Sequence, residues 1–219
     1  MSSLIDRIAY AISEKSRTQK FRQFLSLIDP KPEDSLVDVG VNTEEYSASD
    51  NYLEKHYAYP EMITAVHLED DGGLFAKRYP KIHTVVADGR QLPFPDNTFT
   101  IGYSNAVIEH VGEQSDQKAF LQELFRVSQR GYITTPNRFF PIELHTRIPL
   151  LHILFSKTLF DRLLTSIGKS WATGKYMRLL SEQELYTLLI QAGITDFTLT
   201  KNRFLGWPMT FTVTWKKSI

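Results

Sequence analysis

The 219-residue sequence contains no cysteine. That absence excludes disulfide frameworks, thiol nucleophiles, iron–sulfur clusters and cysteine-ligated zinc, and it fits a reducing compartment. Net charge is missing as well, with 25 basic against 25 acidic side chains, so the electrostatic footprint of a bulk nucleic-acid binder is not there. Long apolar runs are also lacking. The longest, Ile148 to Phe155, is interrupted by Pro149 and His152 and falls far short of the roughly 20 residues that span a bilayer. The first thirty residues alternate apolar and charged side chains with no secretory hydrophobic run, so a cytoplasmic protein is expected. None of the six histidines stands in a His-Glu-x-x-His or similar ligand spacing, and no metal site is expected. Missing phosphate-loop, Gly-x-Ser-x-Gly and Gly-x-Gly-x-x-Gly patterns disfavour kinases and ATPases, serine hydrolases and nicotinamide dehydrogenases in turn.

What is present is enough oil for a sizeable core, 42% apolar and 12% aromatic residues. No repeat or Gly/Ser linker divides the chain, so one domain over 1–219 is expected, with an N-terminal helical segment at 1–30 and a helical insert at 138–180. Charge is uneven: residues 31–120 carry 16 acidic and 7 basic side chains, residues 121–219 carry 6 and 13. The basic part favours an anionic or membrane-surface partner over the acidic part, or is simply a solvated face.

Two amphipathic helices are read over Ser3 to Ile28, stopped at Asp29-Pro30. Short apolar runs at Ser35–Val39, Ile63–Leu68, His83–Val86, Phe99–Ser104 and Gly131–Thr135 look like buried strands. Between the last two, Phe120, Leu121, Leu124, Phe125 and Val127 form a helical stripe, with Gly131 read as its C-terminal cap. Ser181 to Glu184 is a capping box that opens another helix, closed by Gly193. Two alternating segments at Ile194–Thr200 and Met209–Trp215 close the sheet edge as a strand pair. The alternation predicts an α/β, Rossmann-like three-layer sandwich: a mostly parallel seven-stranded sheet with an antiparallel C-terminal strand pair.

Ligands in such sheets sit beyond the carboxyl ends of the strands. The residues there are Asp38, Gly40, Asn42, Glu44 and Glu45; Glu69, Asp70 and Asp71; Asp88 and Gly89; then Asn105, Glu109 and His110. Carboxylates and amides dominate, and no lysine or arginine follows directly until Arg90. This set suits ribose hydroxyls, an exocyclic amine or a cation, and S-adenosylmethionine offers all three without phosphate.

The string VADGRQLPFPDNTFTIGYSNAVIEHV, Val86 to Val111, together with Leu36-Val-Asp-Val-Gly40 and Tyr132-Ile-Thr-Thr-Pro-Asn137, resembles the motif regions of class I S-adenosylmethionine-dependent methyltransferases of the type 11 kind. The resemblance covers most of the chain from about Phe21. It implies S-adenosylmethionine as cofactor, with Asp38 and Gly40 beside its methionine part and Asn105 nearby. It also places Asp88 at the adenine amine, the Gly89 backbone at a ring nitrogen, and Glu69 at the ribose. Two departures stand out. Gly40 is followed by Val41-Asn42-Thr43-Glu44-Glu45 where the family has further glycines, and His67 occupies the usual place of the ribose acid.

The function so implied is methyl transfer to a small-molecule, sugar or lipid-linked acceptor. The rival reading, motivated by the eroded glycine loop, is a methyltransferase-like binding or scaffold protein that has lost catalysis. In-line transfer needs no nucleophilic residue, but a hydroxyl acceptor benefits from a general base. His145 and Glu143, after the fifth strand, are the candidates. Residues 147–164 are apolar with basic flanks, read either as a packed lid or as a face for a membrane surface or lipid acceptor.

Overall fold

The computed structural model describes residues 4–47, 49–141, 157–170, 173 and 177–218. Seven strands form one sheet: β1 Leu36–Val39, β2 Ile63–His67, β3 His83–Val86, β4 Phe99–Asn105, β5 Ser128–Pro136, β6 Phe197–Phe204 and β7 Trp207–Lys216. Their spatial order is β3-β2-β1-β4-β5-β7-β6. Neighbours from β3 to β5 pair in parallel, and β7 runs antiparallel to both β5 and β6. The α/β sandwich read from the alternation is therefore present, with β7 as the reversed strand.

Strand residues alternate between two cores, as a period of two requires. On one face Val37, Val39, Ile133, Val213 and Trp215 pack with helix α4 (Gln114–Val127) and helix α6 (Glu182–Gln191). On the other, Leu36, Ala65, Ile101, Tyr103 and Tyr132 meet α1 (Leu4–Ile28), α2 (Tyr52–His56) and α3 (Leu74–Arg78). The insert contributes α5, Lys157–Ser166, where Phe160 and Leu164 pack with Met177.

Three local readings change. Residues Leu4–Ile28 form one helix instead of two, because no Gly or Pro interrupts them. Asp29 ends it in the left-handed region, at φ 48°. The β6–β7 connection is a two-residue turn of Leu205 and Gly206, both at positive φ, the geometry whose twist matches paired strands. Gly131 is no helix cap: α4 passes directly into β5 at Ser128. Gly131 instead lies opposite Trp215 in the β5–β7 ladder. A Cβ on it would stand 1.9 Å from the Trp215 ring, so the glycine clears the space in which the indole lies. The capping box at Ser181 is as read, with the Glu184 N–H donating to Ser181 Oγ (3.2 Å) and the Ser181 N–H to Glu184 Oε2 (2.8 Å).

Candidate functional site

Strand order reverses between β1 and β4, which splays the two exit loops apart. A cavity of about 60 Å³ lies there, and Asp38, Gly40 and Asn105 all line it. Gly40 sits at φ +99°, and a Cβ on it would stand 2.5 Å from both methyl carbons of Val107. Only glycine fits. Asn105 Oδ1 accepts from the Thr134 hydroxyl (2.5 Å), and the next residue, Ala106, holds a positive φ of 59°. Such backbone strain gathers at sites where the surroundings enforce it.

Asp38 and Glu54, the latter from α2, are each 6% exposed. Burial and mutual contact of the two carboxyls hold Asp38 well above the usual carboxylate range, and burial raises Glu54 too. Two acids side by side away from water hold their protons more tightly, since both cannot ionise cheaply. Glu54 Oε1 is buried without a hydrogen-bond partner. The loop after Gly40, lacking further glycines, is fastened by amides. Asn51, at φ 48°, accepts from the Asn42 N–H (3.0 Å) and donates to the Asn42 carbonyl (2.8 Å) and to Glu45 Oε1 (3.0 Å). Glu45 also accepts from the Tyr79 hydroxyl and pairs with Lys55 at 2.9 Å. Together these bonds and the Lys55 charge outweigh desolvation, the largest single effect, and hold its carboxyl below the ordinary range.

Glu69, Asp88 and Gly89 lie at the neighbouring exits of β2 and β3 and are not part of the cavity lining. Glu69 is exposed, and its carbonyl is 2.7 Å from Nδ1 of buried His67. Asp71 is used in the local turn, accepting from the Phe75 N–H at 2.6 Å and the Gly73 N–H at 2.9 Å. Asp88 is gripped by Arg90 through a fork of contacts at 2.6–3.0 Å, and Arg90 reaches on to Asp116 at 2.9 Å. The Arg90 hydrogen bonds hold Asp88 below its ordinary range. Gly89 passes between Val39 and Phe120, where a Cβ would come within 2.9 Å of both. Beside these polar groups, Leu68 and Val86 are 65% and 51% exposed.

The sequence reading missed Arg17, Lys20 and Glu54. Each belongs to a helix whose orientation toward the strand exits is a tertiary fact. Arg17 lines the cavity. Lys20, one turn further along α1, is 6% exposed, and burial pushes its ammonium down to about 7, helped by Arg17 and opposed by Glu109. The apolar ends of β2 and β3 that leave Leu68 and Val86 bare were visible in the sequence. Glu143 and His145 lie outside the described residues, as does 147–156 of the apolar insert. Among the described residues no helix is long and apolar enough to cross a membrane.

Residues 37–134 match the family described as "methyltransferase domain", and that stretch contains the β1 to β4 exits. Residues 37–134 form a methyltransferase domain. Solved structures similar to the chain carry the same fold at low identity. One is an S-adenosylmethionine-dependent methyltransferase of Methanosarcina mazei, 16% identical with TM-score 0.56, covering 84% of this chain and 92% of that one. A second is a 1,6-didemethyltoxoflavin N1-methyltransferase of Burkholderia thailandensis, solved with S-adenosylhomocysteine, 14% identical with TM-score 0.58, covering 94% and 80%. A third, of Thermotoga maritima, is described as a possible histamine N-methyltransferase, 15% identical with TM-score 0.58, covering 98% and 96%. No curated protein matches the chain.

Proposed function

We propose that the methyltransferase domain binds S-adenosylmethionine along the exits of β1 to β4 and transfers its methyl group to a small-molecule, sugar or lipid-linked acceptor. The carrying observation is the convergence of Asp38, Gly40 and Asn105 on one cavity at the strand-order reversal, inside the stretch that matches the family. When bound, the donor supplies an electrophilic methyl on a sulfonium. The chain's own part is to hold it. Exposed Leu68 and Val86 offer apolar walls for the adenine, Asp88 and the Gly89 backbone take its polar edge, and Glu69 faces the ribose hydroxyls. A carboxylate offers about four acceptor sites, so Asp88 serves an exocyclic amine while Arg90 keeps it ionised and oriented. Glu143 and His145 remain the proposed acceptor-side bases. Residues 1–219 are read as one cytoplasmic domain whose insert, 138–180, covers the acceptor, with 147–164 as lid or membrane-surface contact.

One observation favours the rival reading of a non-catalytic binding module. At about 60 Å³ the cavity is far below the roughly 300 Å³ of a small-molecule pocket, because Val107 packs over Gly40 and the Asn51 amide draws the loop in. Thermal shifts with S-adenosylmethionine, S-adenosylhomocysteine and NAD separate the two. A sulfur ligand at 100 times its Kd should stabilise by about 2.7 kcal/mol. A flat response to both sulfur ligands would leave the binding module standing. In calorimetry, Asp88→Ala should weaken S-adenosylhomocysteine by tenfold or more with the fold intact, since a lost hydrogen bond to a charged group is worth roughly 1.5–3 kcal/mol. Unchanged affinity would remove adenine from this position.

A further inference from the structure

The turn between β6 and β7 places apolar side chains in water. Leu205 is 85% exposed, Trp207 61%, and Phe139, from the segment after β5, 54%. The two segments are stapled together. The Asn137 N–H donates to the Met209 carbonyl (2.9 Å) and its side-chain amide to the Pro208 carbonyl (2.8 Å), which holds the stretch carrying Phe139 against the start of β7. Phe140 meets the Phe204 ring edge-on, with centroids 6.4 Å apart. Nothing in the turn calls for leucine. At φ 48°, followed by Gly206 at 86°, the position favours asparagine or aspartate, so Leu205 works against both the backbone and solubility.

The same tip is basic. Arg203 is exposed, donates to the Gly206 carbonyl at 2.7 Å and keeps donors to spare beyond that bond. Arg138 lies 5.9 Å from the centre of the Phe139 ring and pairs with Glu184 at 3.2 Å, while Lys201 pairs with Glu182 at 2.7 Å. From Phe197 to Ile219 the sequence holds Lys201, Arg203, Lys216 and Lys217 and no acidic residue. The tip also projects. Pro136, at the end of β5, pairs with Thr210, whereas β7 begins at Trp207, roughly 10 Å further out at the rise of a strand.

We propose that the β6–β7 tip is a membrane anchor: Leu205, Trp207 and Phe139 enter the interface of an anionic phospholipid bilayer, and Arg203 binds lipid phosphate. Tryptophan is at home at headgroup depth, and a guanidinium matches phosphate with paired donors. A protein partner would want a broad matching face, about 800 Å² a side. Three side chains on a projecting turn offer none, but a bilayer closes around them. Docking in this way turns the carboxyl ends of β1 to β5 toward the membrane, because β5 ends beside the base of the tip. Of the acceptors named above, a lipid-linked one would then reach the site from the bilayer. The anchor itself does not depend on the donor reading.

The test is co-sedimentation of the full chain, without added donor, with vesicles of phosphatidylcholine alone or mixed in equal parts with phosphatidylglycerol. The wild type should bind the mixed vesicles at least tenfold more tightly than the neutral ones, and added salt should weaken that binding. The double variant Leu205→Ser, Trp207→Ser should lose tenfold or more on the mixed vesicles, and Arg203→Gln should lose several-fold with a shallower salt dependence. Circular dichroism establishes that each variant is folded. A wild type that ignores mixed vesicles, or binds both kinds equally, overturns the anchor, as does a double variant that binds like wild type. A dimer in sedimentation equilibrium that the double variant dissolves would also overturn it, and would assign the tip to a second copy of the chain.

Discussion

Between pH 7 and pH 9.5 the wild-type protein is expected to gain about 3 kcal/mol of stability from Lys20 alone, and Lys20→Met to lose that gain. The side chain is 6% exposed and its ammonium is pushed down from 10.5 to about 7 by burial first and Arg17 second. Its folded-state value is thus below its unfolded one. Across that window the unfolded chain binds more protons than the folded one, so stability rises with pH; below about 7 both states are protonated and the dependence vanishes. Urea denaturation of both proteins at the two pH values isolates the difference. It also removes the tyrosines Tyr57, Tyr79, Tyr103 and Tyr132, whose raised values act in the opposite sense at still higher pH. Parallel pH profiles for wild type and variant would show that Lys20 is not buried in this way.

Gly131→Ala should cost roughly 3 kcal/mol, at the upper end of the usual range for overpacking. The added carbon would stand 1.9, 2.1 and 2.3 Å from three atoms of the Trp215 ring. That ring cannot step aside easily. It is 3% exposed, belongs to the core beneath α4 and α6, and lies 6.0 Å from Phe125 between ring centroids. Trp215→Leu removes the obstruction while creating a cavity of its own. The two changes combined should therefore be less harmful than their sum, with a coupling of more than about 1 kcal/mol in a double-mutant cycle. Simple additivity by denaturant titration would mean that the strand, not the ring, absorbs the extra atom.

Gly131 also shows where sequence reading stops. Its place after an amphipathic stripe matches a helix stop, and only the β5–β7 register puts an indole on top of it. Local signals without such competition were legible. The Ser181 capping box, the α4 stripe and the apolar strand runs need only neighbours within a few positions, and all three are in the fold. The N-terminal segment was legible as helical but not as a single helix, because a change of apolar phase resembles a break when no partner surface is known.

The site divides along the same line. Alternating strands and the acid-rich exits determined, from the residues alone, an open parallel sheet with a ligand crest free of phosphate-loop chemistry, since strand period and loop composition are written in consecutive positions. The tertiary structure decided which crest residues face one another. Asp38, Gly40 and Asn105 share a cavity because the sheet order reverses between β1 and β4, whereas Asp88 is claimed by Arg90 at its own exit. Arg17, Lys20 and Glu54 enter the site only through helix packing across the sheet face. No spacing in a linear chain records which side of a helix will be pressed against strands many residues away.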